Sequence, residues 1–477
     1  MPRPETTIYR SDHILGKADG ELTPELYRSW GRTLGRLSCV KGCIAVGSDG
    51  RESSEVFRIA LKEGFADAGV CVLDLGIVPH VATLFAVHWC GAKGAAYVSG
   101  IGTPWTFNGL RWILPESPLS PQEQCRILRH DAEQDLPPRD VERCVKGRNH
   151  SFLQDWINWH QQIWFDTPQV PLRIIVDPLH GPWAQLLRRA LQVIFPAIVF
   201  EAIHDEAHPQ YGGLVPNAHD PESIKQLCRE VDIRHADLGI AIDGETGGFS
   251  LCDGHGVPLS VNELSWLMLQ SYATAIPGEK VLHTTVLPEI FVEEIRRLGG
   301  TPILTPISSP GFVEQMRQTG AILGFDHTGR FFSRTCNGYY ISFFAVCWLI
   351  DYLARQRTNV AEFRRTVPPC FATQELKTPW DEPTSIAKLL KAKWNVKPEK
   401  TINSLRFVGP NGPMTLREDH DYGLLAFQFE AKNRQMLDQM IDECISALED
   451  TELAATLIGA FQRSGALGIG IGRAGST

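Results

Sequence analysis

The segment from Ser99 to Asn108 is a loop whose polar side chains are hydroxyls and one amide, with no acid, base or thiol. It reads SGIGTPWTFN and follows the small apolar run 95–98, which is typical of a buried strand. Two glycines and a proline directly after a strand indicate a loop that presents something. Ser99 and Thr103 are hydroxyls that could accept a transferred group, but a hydroxyl needs an adjacent base before it attacks. The loop itself does not supply that base.

The cysteines give no sign of a metal site or a disulfide framework. Twelve of them are scattered over 477 residues without a CxxC pair, and Cys39 and Cys43 have no second pair that would complete a zinc site. Most lie inside apolar runs. This usage predicts reduced thiols that pack in cores of a cytosolic protein.

The charge balance is mildly acidic. Lysine and arginine total 46 against 55 aspartates and glutamates, a formal net charge of −9, which argues against general nucleic-acid binding because a phosphate backbone demands a basic face. The sequence has no run of eighteen apolar residues, and its first residues lack the apolar core of a signal peptide. We therefore expect a cytoplasmic protein without a membrane segment.

Three stretches repeat one pattern, at residues 42–80, 172–206 and 278–308. In each, a β-branched run ends in Gly, Pro or Asp, an amphipathic helix follows, and a second apolar run closes the unit. These are βαβ units, which place parallel strands beside each other through a helical crossover. Three such units predict three α/β domains of similar build, not one large sheet.

The last hundred residues predict a smaller α+β domain. A hairpin turns at GPNGP, a strand follows, and one face of a closing helix carries Leu437, Met440, Ile441, Cys444, Ile445 and Leu448 at three- and four-residue steps. The predicted divisions are a first domain at 1–150, a second at 151–258, a third at 259–370, the α+β domain at 371–455 and a glycine-rich tail at 456–477.

This order of domains, together with several motifs, resembles the α-D-phosphohexomutases, the phosphoglucomutase and phosphomannomutase family. GSDGRESSEVF at 47–57 is similar to an early family segment, FNGLRW at 107–112 to the family's Asn-Gly-hydrophobic-Lys, and DLGIAIDGETGGFSLCDGHG at 237–256 to its metal loop. The resemblance covers nearly the whole chain. It implies the family's fold, in which three α/β domains with mixed sheets and a smaller α+β domain surround a central cleft. It also implies a phosphoryl transfer that needs a hydroxyl acceptor, a divalent cation, an acid and base, and a cradle for a distal phosphate.

The loop at 99–104 stands where the family carries its phosphoserine. Aligned on Pro104, SGIGTP replaces Thr-Ala-Ser-His-Asn-Pro, so Ile101 takes the place of the serine. An isoleucine cannot accept a phosphoryl group. Ser99 and Thr103 are the fallback acceptors, but each lies two residues away, which in an extended segment displaces a side chain by about 6.5 Å.

The metal loop of the family retains Asp243 and Glu245 at 243–248, while its third carboxylate and its arginine are glycines. The resemblance then implies a weak magnesium site or none, because magnesium wants a near-ideal octahedron. The alternative is that both carboxylates are turn residues with solvated charges. We expect no cofactor, with a weakly held Mg²⁺ as the alternative.

The sugar loop and the phosphate loop of the family are also altered. At 324–330 the chain carries Asp326, His327, Thr328 and Arg330, where the last residue puts a permanent cation in place of a histidine. A remodelled ligand site and a surface ion pair are both open there. At 417–423 one retained arginine, Arg417, stands with Glu418, Asp419 and Asp421, and these carboxylates oppose a phosphate. We expect a solvated acidic turn at this position.

Three functions are compatible with this pattern, in which fold positions persist and chemical positions change. The first is a pseudoenzyme without phosphohexomutase activity that binds a small sugar-like ligand or a protein partner, such as an active relative. The second is an enzyme of altered chemistry on a non-phosphorylated or cationic sugar-like substrate. The third is an active phosphohexomutase that uses Ser99 or Thr103. We expect the first, with Arg51 among the ligand-binding residues, as a monomer or homodimer.

Overall fold

The computed structural model describes residues 7–38, 42–89, 91–134, 145–146, 152–373, 375–379, 388, 390–392, 399–402, 404–419 and 421–447. Four β-sheets follow one another along the chain. Helices pack against them, and the predicted α/β architecture with a closing α+β unit is confirmed. The glycine-rich tail predicted at 456–477 lies outside the described residues.

The first sheet has the strand order β1-β5-β4-β2-β3-β6. Its strands are β1 (Ile14–Lys17), β2 (Cys43–Ser48), β3 (Cys71–Ile77), β4 (Gly94–Val98), β5 (Phe107–Ile113) and β6 (Val145–Lys146). Its helices are α1 (Pro24–Leu37), α2 (Glu52–Asp67), α3 (His80–Trp89) and α4 (Pro121–Gln134). Strand β2 runs parallel to β3 and β4, whereas β4 and β5 are antiparallel, so the loop between them reverses the chain at the sheet edge.

The second sheet has the order β10-β9-β7-β8. Its strands are β7 (Arg173–Asp177), β8 (Val199–Ala202), β9 (Leu238–Ile242) and β10 (Phe249–Asp253), and its helices are α5 (Phe152–Ile163), α6 (Leu187–Ile194) and α7 (Pro221–Ile233). A short 3₁₀ turn at Tyr211–Gly213 precedes α7. Helix α6 begins five residues later than the PWAQLL pattern predicts, because Leu179, His180 and Gln185 have positive φ angles that interrupt a helix.

The third sheet has the order β12-β11-β13-β14. Its strands are β11 (Lys280–His283), β12 (Thr301–Leu304), β13 (Leu323–Phe325) and β14 (Phe331–Ser333), and its helices are α8 (Val261–Ser271), α9 (Glu289–Arg297), α10 (Ser309–Thr319), α11 (Ser342–Gln356) and α12 (Val360–Arg364). Another 3₁₀ turn lies at Arg334–Cys336. Helix α8 begins at a capping box in which Ser260 and Glu263 satisfy each other's backbone N–H groups.

The fourth sheet is antiparallel, in the order β15-β20-β19-β18-β17, with β16 also paired to β20. Its strands are β15 (Phe371–Ala372), β16 (Leu376–Pro379), β17 (Glu399–Thr401), β18 (Ser404–Gly409), β19 (Gly412–Asp419) and β20 (Leu424–Ala431), and α13 (Arg434–Ala447) packs on it. The hairpin predicted at GPNGP joins β18 and β19. Leu437, Met440, Ile441 and Cys444 are buried on one face of α13, as the spacing predicts, while Leu448 lies outside the described residues.

The three predicted βαβ units are present as β2-α2-β3, β7-α6-β8 and β11-α9-β12, each with parallel strands. Apolar side chains bury against both faces of these sheets, among them Trp30 under the first sheet and Trp183 under the second. Within the described part of the chain, no helix combines the length and apolar character needed to cross a bilayer. The four loops singled out in the sequence, at 99–104, 243–248, 324–330 and 417–423, each lie at the end of a strand of these packed sheets. The strands are β4, β9, β13 and β19, respectively.

Candidate active site

The hydroxyls of Ser99 and Thr103, in the loop after β4, are both hydrogen-bonded within the protein. Ser99 is buried, its Oγ donates to Oε2 of Glu245 at 3.0 Å, and it accepts the N–H of Ile101 at 3.0 Å. Thr103 donates its hydroxyl to the carbonyl of Gly100 at 2.5 Å. Ile101 itself has a φ of +56°, in the left-handed region that a β-branched residue rarely adopts. The loop holds this backbone shape although isoleucine is ill suited to it.

Arg51, the N-cap residue of α2, ties this loop to the loop after β9. Its buried guanidinium contacts the Asp49 carboxylate, donates to Glu245 at 2.6 Å and to the carbonyl of Thr103 at 2.6 Å, and lies 4.9 Å from the ring centre of Tyr211. Burial acts against the charge, but the carboxylates of Glu245 and Asp49 hold the pKa of Arg51 above its ordinary value. Arg51 is therefore a charged internal clamp whose side chain is not exposed to the cleft.

Asp243 and Glu245 are buried, so the expectation of solvated turn carboxylates is wrong. Asp243 accepts the backbone N–H groups of residues 245 to 248 at 2.6–3.1 Å and the hydroxyl of Thr246 at 2.6 Å. Burial raises the pKa of the Asp243 carboxyl. Glu245 accepts from Ser99, Tyr211, Arg51 and the N–H of Gly102.

These two carboxylates do not fit a bound divalent cation as they are arranged. Their oxygens already accept hydrogen bonds from the chain, and positions 247 and 248 are glycines with no third ligand. Among the residues that the structure describes, no three or more His, Cys, Asp or Glu side chains are grouped so as to hold a metal ion. A magnesium ion would have to displace these hydrogen bonds.

The loop after β13 folds around a buried ion pair, not a surface one. Asp326 is 1 % exposed, and it accepts from the Nε of Arg330 at 2.7 Å and from the hydroxyl of Thr328 at 2.7 Å. Burial acts to raise its pKa, but Arg330 holds the pKa of the Asp326 carboxyl below its ordinary value. His327 points away from this pair, and its Nε2 lies 3.0 Å from Glu375.

Arg417 on β19 is paired with the carboxylate of Glu375, a residue that the sequence did not identify as part of a site. Its Nε and Nη2 both donate to Glu375 at 2.8 Å, and Asp419 lies 3.6 Å away. Arg417 is only 9 % exposed, so this is a buried pair and not the solvated acidic turn that we expected. Asp421 does not join it, because its carboxylate accepts from Ser11 in the N-terminal segment.

Two residues that the sequence did not identify as site residues lie among these loops. Arg111, on β5, donates to the carbonyl of Glu245 at 3.1 Å, and burial lowers the pKa of its guanidinium. His219 packs beside two loop glycines: a Cβ at Gly329 would lie 2.5 Å from its Nε2, and one at Gly248 would lie 3.5 Å away. Burial lowers the pKa of His219 to about 4, and its Nε2 has no hydrogen-bond partner in the described structure.

A neutral imidazole at His219 and the guanidinium of Arg111 therefore lie among these loops, whereas Arg51, Arg330 and Arg417 are already paired with carboxylates. Arg111 could have been found from FNGLRW, where it stands in the family's lysine position. His219 could not, because VPNAHD carries no pattern that separates it from a loop histidine.

Comparisons with known proteins find similar family models, sequences and solved structures. The family models "Phosphoglucomutase/phosphomannomutase, alpha/beta/alpha domain I" and "domain II" match residues 7–136 and 154–256. A phosphomannomutase/phosphoglucomutase of Pseudomonas aeruginosa is 24% identical over 454 residues, covering 92% of this chain and 95% of that protein. A phosphoglucomutase/phosphomannomutase family protein of Burkholderia thailandensis has a TM-score of 0.82 at 20% identity, covering 94% and 98% of the two chains.

A more distant solved structure, Aspergillus fumigatus N-acetylphosphoglucosamine mutase with GlcNAc-6P and magnesium, has a TM-score of 0.52 at 10% identity and covers 88% of this chain and 82% of that one. These relatives overturn two expectations. The expectation that the chain is not an enzyme is wrong, because the relatives and structural neighbours are mutases, which are enzymes. The expectation of no cofactor is also wrong, since members of the family are generally magnesium-dependent.

Proposed function

Because the chain belongs to the phosphoglucomutase/phosphomannomutase family, the α-D-phosphohexomutases, we propose that it is an enzyme of altered chemistry on a non-phosphorylated sugar-like substrate. The substrate binds in the cleft among the loops at 99–104, 243–248, 324–330 and 417–423. The four sheets support the predicted domain divisions, and a cytoplasmic location is part of the same proposal.

The proposal rests on the pairing of Arg417 with the carboxylate of Glu375. Its two donors already meet the Glu375 carboxylate at 2.8 Å, so the residue that the family resemblance assigns to a distal phosphate is occupied by an internal anion. A phosphate would have to displace a buried carboxylate, and it would be repelled by Asp419, which lies 3.6 Å from the same guanidinium. A substrate without a phosphate at that end meets no such opposition.

The groups left open in the cleft suit hydroxyl and carbonyl oxygens. The guanidinium of Arg111 donates hydrogen bonds, and the neutral ring of His219 offers an unpartnered Nε2. An amine-bearing substrate is disfavoured at Arg111, because the guanidinium is a fixed cation that repels another positive charge. Since the carboxylates at 243 and 245 do not fit a metal ion, we derive no step through one.

The first experiment is intact-mass analysis of the full chain after incubation with glucose 1,6-bisphosphate. We expect no adduct of about 80 Da, the mass of one phosphoryl group. Thermal shifts with glucose, mannose and their 1- and 6-phosphates form the second arm, where the free sugars should stabilise at least as much as the phosphates. A phosphorylated protein, or stabilisation by the phosphates alone, contradicts the proposal.

A phosphohexomutase that uses Ser99 is the second candidate. It is favoured by the 3.0 Å contact between the Ser99 hydroxyl and the Glu245 carboxylate, which resembles a nucleophile beside its base. The same mass experiment separates the two, because this candidate requires an adduct that maps to Ser99 and is absent in Ser99→Ala. An adduct on Thr103 instead would assign the acceptor role to that residue.

A further inference from the structure

Asp12, His13 and Tyr422 form a series of two contacts where the N-terminal segment meets the turn after β19. Oδ1 of Asp12 lies 2.7 Å from Nδ1 of His13, and Nε2 of the same ring lies 3.4 Å from the hydroxyl of Tyr422. The order carboxylate, imidazole, phenol is that of an oriented acid–base chain. The hydrogen bonds given above for Asp243 and Glu245 do not involve these three residues.

Separate contacts fix the two segments against each other. The carboxylate of Asp421 accepts the N–H of Ser11 at 2.8 Å and its hydroxyl at 2.6 Å, while Arg10 donates to the carbonyl of Asp421 at 2.8 Å. The guanidinium of Arg10 also lies 5.1 Å from the ring centre of Tyr422. Residues more than 400 positions apart in the chain are thus held in register by four contacts.

The protons of this chain can be assigned from the charges. Burial acts to raise the pKa of Asp12, but the hydrogen bond from His13 holds it below its ordinary value, so the carboxylate is ionised and can only accept. Because this carboxylate can only accept, Nδ1 of His13 carries a proton, and Nε2 of the same ring faces the hydroxyl of Tyr422. Burial raises the pKa of Tyr422, which keeps the phenol protonated at neutral pH.

Tyr422 is the exposed end of this hydrogen-bonded series of side chains. It is 39% exposed, whereas His13 is 8% exposed. The phenol therefore lies in the loop at 417–423, one of the four loops of the proposed substrate site, and it is more exposed than the imidazole behind it.

We propose that Tyr422, backed by His13 and Asp12, is a proton relay that exchanges a proton with a substrate hydroxyl in the cleft. As a base, the phenol oxygen takes the proton of the sugar hydroxyl while its own proton passes to Nε2 of His13. The resulting imidazolium is stabilised by the Asp12 carboxylate, and the reverse movement returns both protons. The substrate of the relay is that of the proposed function, but the hydrogen bonds of Asp12, His13 and Tyr422 can be tested in the absence of any substrate.

The direct test is ¹⁵N NMR of the full chain labelled at histidine, with the His13 signals identified by their loss in His13→Gln. We expect a proton on Nδ1 of His13, an Nε2 shift that changes in Tyr422→Phe, and a loss of the Nδ1-protonated form in Asp12→Asn. The matched control is Tyr352→Phe, which removes a phenol hydroxyl on α11, outside the cleft loops. A His13 proton on Nε2, or an Nε2 shift unchanged by Tyr422→Phe, overturns the relay.

The second test measures conversion of glucose, mannose, galactose and fructose by ¹H NMR in D₂O. Tyr422→Phe should lower kcat about 100-fold or more with KM changed less than about threefold, since acid–base catalysis contributes rates of that order. A merely structural role would instead move KM and the melting temperature. If Tyr422→Phe converts a sugar as fast as the wild type, the relay is refuted and the proposed function stands. If the wild type converts none of the sugars, the proposed function fails and the NMR result alone decides the relay.

Discussion

Replacing Glu375 by glutamine should weaken the fold and at the same time open a phosphate site. The glutamine keeps the size of the side chain but removes the negative charge that meets Arg417 through two hydrogen bonds of 2.8 Å. The guanidinium then stays buried with Asp419, at 3.6 Å, as its remaining carboxylate. A buried cation with a weakened partner is both a destabilising group and an available anion site.

The size of the effect follows from burial. Breaking a buried ion pair by removing one partner costs about 3–5 kcal/mol, and the retained Asp419 places this variant near the lower end, at about 3 kcal/mol. The matched control is Glu279→Gln, which breaks the pair between Arg334 and Glu279, also bidentate at 3.0 and 3.1 Å, on the surface of the third sheet. Exposed pairs contribute about 0.2–1 kcal/mol, so the control should lose no more than that.

Urea unfolding of both variants, with and without glucose 6-phosphate, measures both consequences. The ligand should recover part of the loss in Glu375→Gln, about 1.4 kcal/mol at ten times its Kd, and should act less on the wild type and on Glu279→Gln. Equal losses in the two variants would refute the argument from burial. Equal stabilisation of all three proteins by glucose 6-phosphate would show that Glu375 does not close the phosphate site.

Three further outcomes are expected. Ile101→Asn should raise the free energy of unfolding by about 1 kcal/mol in urea titrations, because asparagine tolerates a φ of +56° and isoleucine does not, whereas Ile101→Val should give no gain. Ile101→Ser should fold yet show neither a phosphoserine by mass spectrometry nor turnover of glucose 1-phosphate, since Arg417 remains closed; turnover would contradict the proposed function. The pKa of Glu430 is raised to about 7 by burial, although it accepts the N–H of Glu289 at the start of α9. The folded protein binds the proton of Glu430 more tightly than the unfolded chain does, so the free energy of unfolding falls as the pH rises from about 4.5 to 7. Glu430→Gln should remove this fall, which is at most about 3 kcal/mol.

The fold could be predicted because it rests on local pattern. Each of the three βαβ units combines an apolar run, an amphipathic helix and turn residues that lie next to one another in the sequence, and all three are present. The start of α6 could not be predicted, because the PWAQLL pattern is compatible with a helix. The N–H of Gln185 instead donates to Asp205, twenty residues away, and its backbone is left-handed.

The state of the site charges could not be predicted for a related reason. Asp243 and Glu245 are typical turn residues by their neighbours, and only the distant Arg51 and the packing of the loop decide that Glu245 is a buried ion-pair partner. Likewise Glu375 carries no motif, and its contact with Arg417 joins strands β16 and β19 on opposite sides of β20. Residue types indicated where chemistry has changed, but the arginine that pairs with Glu245 is 194 positions away, and the glutamate that pairs with Arg417 is 42 positions away.

The carboxylates of the cleft act as internal substitutes for a bound anion. Arg51 meets Glu245, Arg330 meets Asp326, and Arg417 meets Glu375, so each of these arginines is neutralised within the chain. Arg111 differs, because its hydrogen bond in the described structure is to a backbone carbonyl. A second anion at the paired arginines would face carboxylates, while a cationic amine at the centre would face Arg111. The charge pattern therefore favours a neutral, oxygen-rich ligand, whose oxygens can accept from Arg111 and whose hydroxyl would exchange its proton with Tyr422 in the proposed relay.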